Sequence, residues 1–116
     1  MIVAAIFAAL FMLKKSGQIP AREALARLKN GALVIDVRSP GEFASGHLAR
    51  AINIPADEIE TGLPGRVKDK SQVMLLHCAS GMRSGLARQK LQALGYTHVF
   101  NLGSYQRAES LLRRAT

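Results

Sequence analysis

Short apolar runs recur along the chain and alternate with stretches in which apolar residues stand three or four positions apart. Each run has the length of a strand and ends at a polar residue or a proline, which is typical of buried strands. Strands are therefore predicted at residues 32–36, 51–54, 72–77 and 98–101.

The stretches between these runs have helical spacing and helix-ending residues. Pro20 suits a first helical turn, and Gly31 and Gly95 suit the left-handed position just after a helix. Helices are predicted at residues 19–31, 84–95 and 105–114, with a short helical turn at 40–46. Residues 56–69 contain Gly62, Pro64 and Gly65 and are predicted as an irregular connection. Strands that alternate with helices imply parallel βαβ units, so the predicted class is α/β.

Length and composition narrow the range of functions. The chain has 116 residues with 48% hydrophobic and 21% charged residues, which fits one globular domain and excludes a disordered tail or a fibre. Sixteen Lys and Arg against eight Asp and Glu give a formal charge of +8, which favours anionic partners. The basic residues are scattered and Trp is absent, so no nucleic-acid partner is predicted, and anionic lipid and a small anionic substrate stay open.

The chain contains one cysteine, Cys78, directly after the apolar run 72–77. A single cysteine excludes an intrachain disulfide and a cysteine-based metal framework, and no residue cluster has metal-ligand spacing, so no metal is predicted. In an α/β sheet, ligands bind where strands lead into helix N-termini. Backbone amides and the helix dipole would stabilise a thiolate on Cys78, and Arg83 would hold an oxyanion with parallel hydrogen bonds.

The segment from Cys78 to Ser84 resembles the active-site loop of rhodanese-domain sulfurtransferases, in which four residues separate a cysteine from an arginine. Two further blocks match that family in order and separation, at residues 34–39 (VIDVRS) and 42–55 (EFASGHLARAINIP). The match extends from about residue 19 to residue 112. Residues 16–116 are therefore interpreted as a single rhodanese-like domain.

The resemblance implies a small parallel β-sheet of about five strands, flanked by helices on both faces. It also implies that Cys78 accepts a sulfane sulfur from thiosulfate or a similar anionic donor and passes it, as a persulfide, to cyanide or a thiol. No cofactor is implied. The residues expected to bind the donor are Arg83, Ala79, Ser80, Gly81, Met82 and Ser84.

Other residues of the matching blocks have structural roles in this interpretation. Asp36 and Arg38 are expected to pair at a strand end and tie neighbouring loops together, and His47 is expected to pack and form hydrogen bonds. Arg88 is expected on the solvated surface of a helix. Arg50 departs from the family pattern, which commonly has Gly at its place.

Two other functions remain open at this point. Phosphatases and arsenate reductases of the same fold have five residues between cysteine and arginine, whereas this chain has four, which favours sulfur over phosphate. A module that binds or senses a persulfide without catalysis is the second alternative. An intact Cys78 and Arg83 favour an enzyme over such a module.

The first thirteen residues contain no polar side chain and are followed by Lys14 and Lys15. Residues 1–15 are predicted as an apolar helix, with residues 1–13 associating with a membrane. A helix of this length would measure about 20 Å, short of the roughly 30 Å hydrocarbon core. The two lysines predict that the domain lies on the cytoplasmic side. The alternative is a helix packed on the domain or on another copy.

Overall fold

The computed structural model describes the backbone of residues 2–116 and the side chains of residues 2–8 and 16–116. Its centre is a sheet of four parallel strands, which confirms the α/β class. The strand order in the sheet is β2-β1-β3-β4. The strands are β1 Leu33–Asp36, β2 Ala51–Asn53, β3 Met74–His77 and β4 Val99–Gly103.

The expected number of about five strands is one too high for the residues that are described. Gln18 forms a single parallel bridge to Asn101 at the β4 edge of the sheet. Pro20 follows two residues later and has no N–H to donate to a ladder, and the chain enters a helix there. The segment before Pro20 therefore adds one bridge to the sheet and no fifth strand.

Helices cover both faces of the sheet, as predicted. One core layer, containing Leu63 and Leu91, lies between the sheet and α4 and α5. The other, containing Leu28 and Leu111, lies under α2 and α6. The helices are α1 Ile2–Lys15, α2 Ala21–Lys29, α3 Pro40–Ala44, α4 Ile59–Arg66, α5 Met82–Ala93 and α6 Tyr105–Ala115, with a 3-10 turn at Ala56–Glu58.

Helix α4 corrects the prediction of an irregular connection. Ile59 and Leu63 stand four positions apart, so both reach the same side of the helix, and both are completely buried. Burying two such side chains contributes about 1.5–3 kcal/mol each. That gain offsets the unfavourable helix propensity of Gly62 and Pro64. Tertiary packing therefore outweighs the local breaking signals.

The N-terminal apolar segment forms α1, but the prediction of a membrane tether was wrong. Helix α1 has 14 residues and so measures about 21 Å, well below the hydrocarbon thickness of roughly 30 Å. Across residues 2–116, no helix combines the length and the apolar character that crossing a bilayer requires. The expected membrane association, and the cytoplasmic placement derived from it, are withdrawn on this finding.

Candidate active site

Cys78 follows β3 at the edge of the sheet where all four parallel strands have their carboxyl ends. Its N–H donates to the carbonyl of Gly103 at the end of β4, at 3.3 Å. The loop then turns through Gly81, whose φ of +98° lies in the left-handed region, and α5 begins at Met82, two residues earlier than predicted. The turn brings the N-terminus of α5 directly behind the sulfur.

Glycine is required at position 81 for a second, steric reason. A Cβ atom at Gly81 would lie 3.3 Å from the backbone Cα and C of Gly103, closer than most such contacts. The loop after Cys78 and the end of β4 therefore pack backbone against backbone. This close approach fixes where the Gly81 N–H points.

The sulfur of Cys78 is buried and accepts hydrogen bonds from its own loop. The Gly81 N–H donates to Sγ at 3.0 Å, and the Ser84 hydroxyl lies 3.5 Å from Sγ. Burial raises the pKa of the thiol, but hydrogen bonds from the Ser84 hydroxyl and from the amides of Ser84, Gly81 and Ser80 outweigh it, so the pKa is lowered. This environment favours the nucleophilic thiolate.

The remaining loop residues have more peripheral positions. The carbonyl of Ala79 accepts a hydrogen bond from the Tyr105 N–H, which ties the loop to the start of α6. Ser80 is exposed. The side chain of Met82 is 69% exposed and forms part of the outer surface beside the loop. Among the six predicted donor-binding residues, Ser80, Gly81 and Ser84 contribute hydrogen bonds to the sulfur.

Asn101 is a buried residue that the sequence reasoning missed. Its Oδ1 accepts from the Ser84 hydroxyl at 2.7 Å and from the Gly103 N–H at 2.9 Å. Its Nδ2 donates to the Gly81 carbonyl at 2.9 Å. These three bonds hold both walls of the loop together. The sequence signal was weak, since Asn101 stood out only as the polar end of the last strand.

Arg83 does not stand free beside the cysteine. Its Nη1 donates to Glu42 Oε1 at 2.7 Å and its Nη2 to Oε2 at 3.1 Å. Glu42 also completes a capping box with Ser39 at the start of α3. The pKa of Arg83 is raised, chiefly by the hydrogen bond with Glu42 and further by the charge of Cys78, with burial opposing. Glu42 was missed, although the Ser-x-x-Glu pattern is a recognisable capping signal.

Asp36 and Arg38 form a buried ion pair at the end of β1. Arg38 Nη2 lies 2.7 Å from Asp36 Oδ2 and also donates to the Gly46 carbonyl at 2.8 Å, which ties β1 to the loop after α3. His77 is completely buried beside them, with Nε2 3.8 Å from Asp36 Oδ2. Its Nδ1 lies 3.3 Å from the Cys78 carbonyl, so the ring donates there.

Three other residues considered from the sequence lie outside this site. His47 is exposed and stacks on Phe43 at 3.8 Å. Arg50 donates to the carbonyls of Leu28 and Ala32, where α2 leads into the opposite end of the sheet. Arg88 was expected in solvent, but it is partly buried and its Nε donates to the Val99 carbonyl at 2.8 Å.

An open cleft adjoins the loop on the Arg83 side. Its volume is about 270 Å³, enough for a small anion or a short extended group. Arg83 contributes a positive charge to its wall and Asp57 a negative one. The full lining consists of Val37, Ser39, Pro55, Ala56, Asp57 and Arg83.

A buried thiol in an amide cradle, at the carboxyl edge of a parallel α/β sheet, defines a cysteine-based anion site. The model of the rhodanese-like domain family matches residues 20–109. The chain therefore belongs to the rhodanese-like domain family.

Two relatives indicate the chemistry associated with this family. The chain is 41% identical over 69 residues to the thiosulfate sulfurtransferase PspE of Escherichia coli (strain K12), covering 60% of this chain and 66% of PspE. It is 36% identical over 70 residues to a sulfurtransferase of Allochromatium vinosum, covering 60% of this chain and 64% of that protein. Both alignments thus fall short of two thirds of the relative's length.

Solved structures share the fold. A human single-domain sulfurtransferase superimposes with a TM-score of 0.69 at 27% identity, covering 81% of this chain and 96% of that one. A rhodanese with anions from E. coli gives a TM-score of 0.63 at 36% identity, covering 66% and 91%. This chain therefore shares the rhodanese-like architecture of these two solved structures.

Proposed function

We propose that this protein is a rhodanese-type sulfurtransferase that carries a sulfane sulfur as a persulfide on Cys78. The observation that carries the proposal is the buried Cys78 thiol with the Gly81 N–H at 3.0 Å and the Ser84 hydroxyl at 3.5 Å. These donors favour a thiolate, and they also suit the negative charge of a persulfide. The similarity to named sulfurtransferases supports the same reaction class.

The first step loads the cysteine. The Cys78 thiolate attacks the outer sulfur of thiosulfate or a similar donor, and a bond from Sγ to that sulfur forms while the donor's sulfur–sulfur bond breaks. With thiosulfate, sulfite leaves with the electron pair of the broken bond. Arg83 and the loop amides bind the donor through charge and hydrogen bonds.

The second step removes the sulfur from Cys78. A nucleophilic acceptor, cyanide or a thiolate, attacks the terminal sulfur of the persulfide. The Sγ–S bond breaks, and its electron pair returns to Cys78 as the thiolate. The product is thiocyanate or a new persulfide, and no proton has to be supplied at the sulfur in either step. A mechanism of this kind is ping-pong, with the loaded enzyme as the intermediate.

Mass spectrometry of the intact protein tests the loading step. Thiosulfate treatment is expected to add about 32 Da, the mass of one sulfur atom, and cyanide to remove it again. Cys78→Ser is the matched control, because it replaces the thiol by a hydroxyl of similar size and is expected to gain no mass. A wild-type protein that gains no sulfur from thiosulfate or from an alkanethiosulfonate would sink the proposal.

The same experiment separates the alternatives. A protein that is loaded but transfers no sulfur to cyanide or to a thiol is a persulfide carrier and no enzyme. Turnover of an aryl phosphate, without sulfur transfer, would instead identify a phosphatase. The four residues between Cys78 and Arg83 favour the sulfur reaction.

A further inference from the structure

Arg83, the cation next to the cysteine, has its charge compensated by a carboxylate. Both oxygens of Glu42 accept from the guanidinium, at 2.7 and 3.1 Å, in the paired geometry that is strongest for Arg and carboxylate. The two side chains are 42% and 37% exposed, and Arg83 lines the cleft beside the loop.

Glu42 is held in this position from its other side as well. Ser39 N–H donates to Glu42 Oε1 at 3.1 Å, and the Glu42 N–H donates to the Ser39 hydroxyl at 3.2 Å. The hydrogen bond from Arg83 and those from Ser39 hold the pKa of Glu42 down, to about 2. Glu42 is therefore negatively charged at neutral pH.

This arrangement changes which anions the site attracts. Arg83 keeps donor hydrogens for a ligand, but the positive charge that would attract a distant anion is offset by Glu42. Asp57 adds a further negative charge to the wall of the same cleft. The repulsion from Glu42 is proportional to the charge of the incoming donor, so a doubly charged donor is disfavoured more than a singly charged one.

We infer that Glu42 is a specificity-determining residue, which acts through Arg83 to discriminate against doubly charged sulfur donors in favour of singly charged ones. This inference rests on the proposed sulfur transfer. Thiosulfate represents the doubly charged donors. An alkanethiosulfonate, such as methanethiosulfonate, represents the singly charged donors. With the latter, the Cys78 thiolate takes the same sulfane sulfur and an alkanesulfinate leaves with the electron pair.

Glu42→Gln tests the inference because glutamine keeps the size of the side chain and can still accept the Ser39 N–H bond of the capping box. The variant is expected to lower KM for thiosulfate about ninefold and KM for methanethiosulfonate about threefold, since the Coulomb energy doubles with the donor charge. The kcat for either donor is expected to change less than twofold. Both effects are expected to shrink in about 0.5 M salt, where the Debye length is short.

Two control variants separate this effect from general ones. Glu109→Gln removes the same charge from an ion pair with Arg113 on α6, in the layer on the other face of the sheet, and is expected to leave both KM values unchanged. Ser39→Ala weakens the cap of α3 but leaves the Glu42–Arg83 pair, so a mere loss of stability would appear there too.

Each outcome decides a different point. The deciding quantity is KM for thiosulfate divided by KM for methanethiosulfonate. If Glu42→Gln leaves this ratio at the wild-type level, or raises both KM values, Glu42 does not discriminate by charge and the inference is overturned. If the wild-type protein is loaded by neither donor, as judged by the mass of Cys78, the proposed function itself fails. The inference is supported if KM for thiosulfate divided by KM for methanethiosulfonate falls in Glu42→Gln and stays unchanged in Glu109→Gln.

Discussion

At the scale of single residues, the pKa of the Cys78 thiol depends on a balance between burial and hydrogen bonding. Burial alone would raise the pKa of the thiol and leave a small inert hydrophobic residue. The Ser84 hydroxyl and the loop amides reverse the sign of the shift. The Ser84 hydroxyl has one proton, and Sγ, the Asn101 Oδ1 and the Gly81 carbonyl all lie within its reach.

Replacing Ser84 tests this balance. Ser84→Ala removes the hydroxyl donor while its backbone amide stays, so the pKa of Cys78 is expected to rise. The measurement is the pH dependence of Cys78 alkylation by iodoacetamide. Ser80→Ala is the control, because Ser80 is exposed and its amide is retained. An unchanged midpoint in Ser84→Ala would show that the amides alone stabilise the thiolate.

At the scale of elements, the turn that leads from the Cys78 loop into α5 depends on one glycine, Gly81. Gly81 combines a left-handed backbone with a close approach to Gly103, whereas Gly95, at the end of α5, has nearly the same φ with nothing near its missing Cβ. The first glycine is therefore required by conformation and by space, and the second by conformation alone.

The two glycines form a matched pair of substitutions. Gly95→Ala is expected to cost about 1 kcal/mol of the free energy of unfolding, the ordinary cost of a left-handed alanine. Gly81→Ala is expected to cost about 1–3 kcal/mol more, as overpacking typically does, and to slow alkylation of Cys78 because the Gly81 amide moves away from Sγ. Urea denaturation and alkylation rates measure the two effects. Equal behaviour of the two variants would contradict the close packing against Gly103.

Among the elements, the sequence patterns were sufficient to predict the strands but not helix α4. Continuous apolar runs predicted the strands, because burial on both faces of a parallel sheet leaves no polar alternation. Helix α4 was missed because Gly62, Pro64 and Gly65 dominated the local signal, while the burial of Ile59 and Leu63 is a property of the assembled core. Local propensity is a weak term when two side chains gain full burial.

At the scale of the whole molecule, the buried ion pair of Asp36 and Arg38 lies beside the completely buried His77. Burial lowers the pKa of His77 most strongly and the charge of Arg38 lowers it further, while Asp36 and the Cys78 carbonyl oppose them. Below the ordinary histidine pKa of about 6.5, the unfolded chain therefore binds a proton that the folded protein resists.

This difference predicts that acid weakens the fold through His77. The free energy of unfolding is expected to be fully maintained above about pH 6.5 and to fall by up to about 1.4 kcal/mol per pH unit below it. Urea denaturation at about pH 7.5 and pH 5.5 measures the slope. His77→Gln is expected to flatten it, whereas His47→Gln, at an exposed position, is expected to keep it. A wild-type slope that persists in His77→Gln would assign the effect to other groups.

The sequence by itself determined the α/β class and predicted the loop from Cys78 to Arg83 as the candidate site, because both depend on near neighbours along the chain. Apolar runs indicate strands, and the cysteine, glycine and arginine of the candidate loop lie within six residues. Only the tertiary structure decided the charge and rigidity of the site. Glu42 and Arg83 are 41 positions apart, and Ser84 and Asn101 are 17 apart. Such pairs meet only through the order of the strands, which no local spacing specifies.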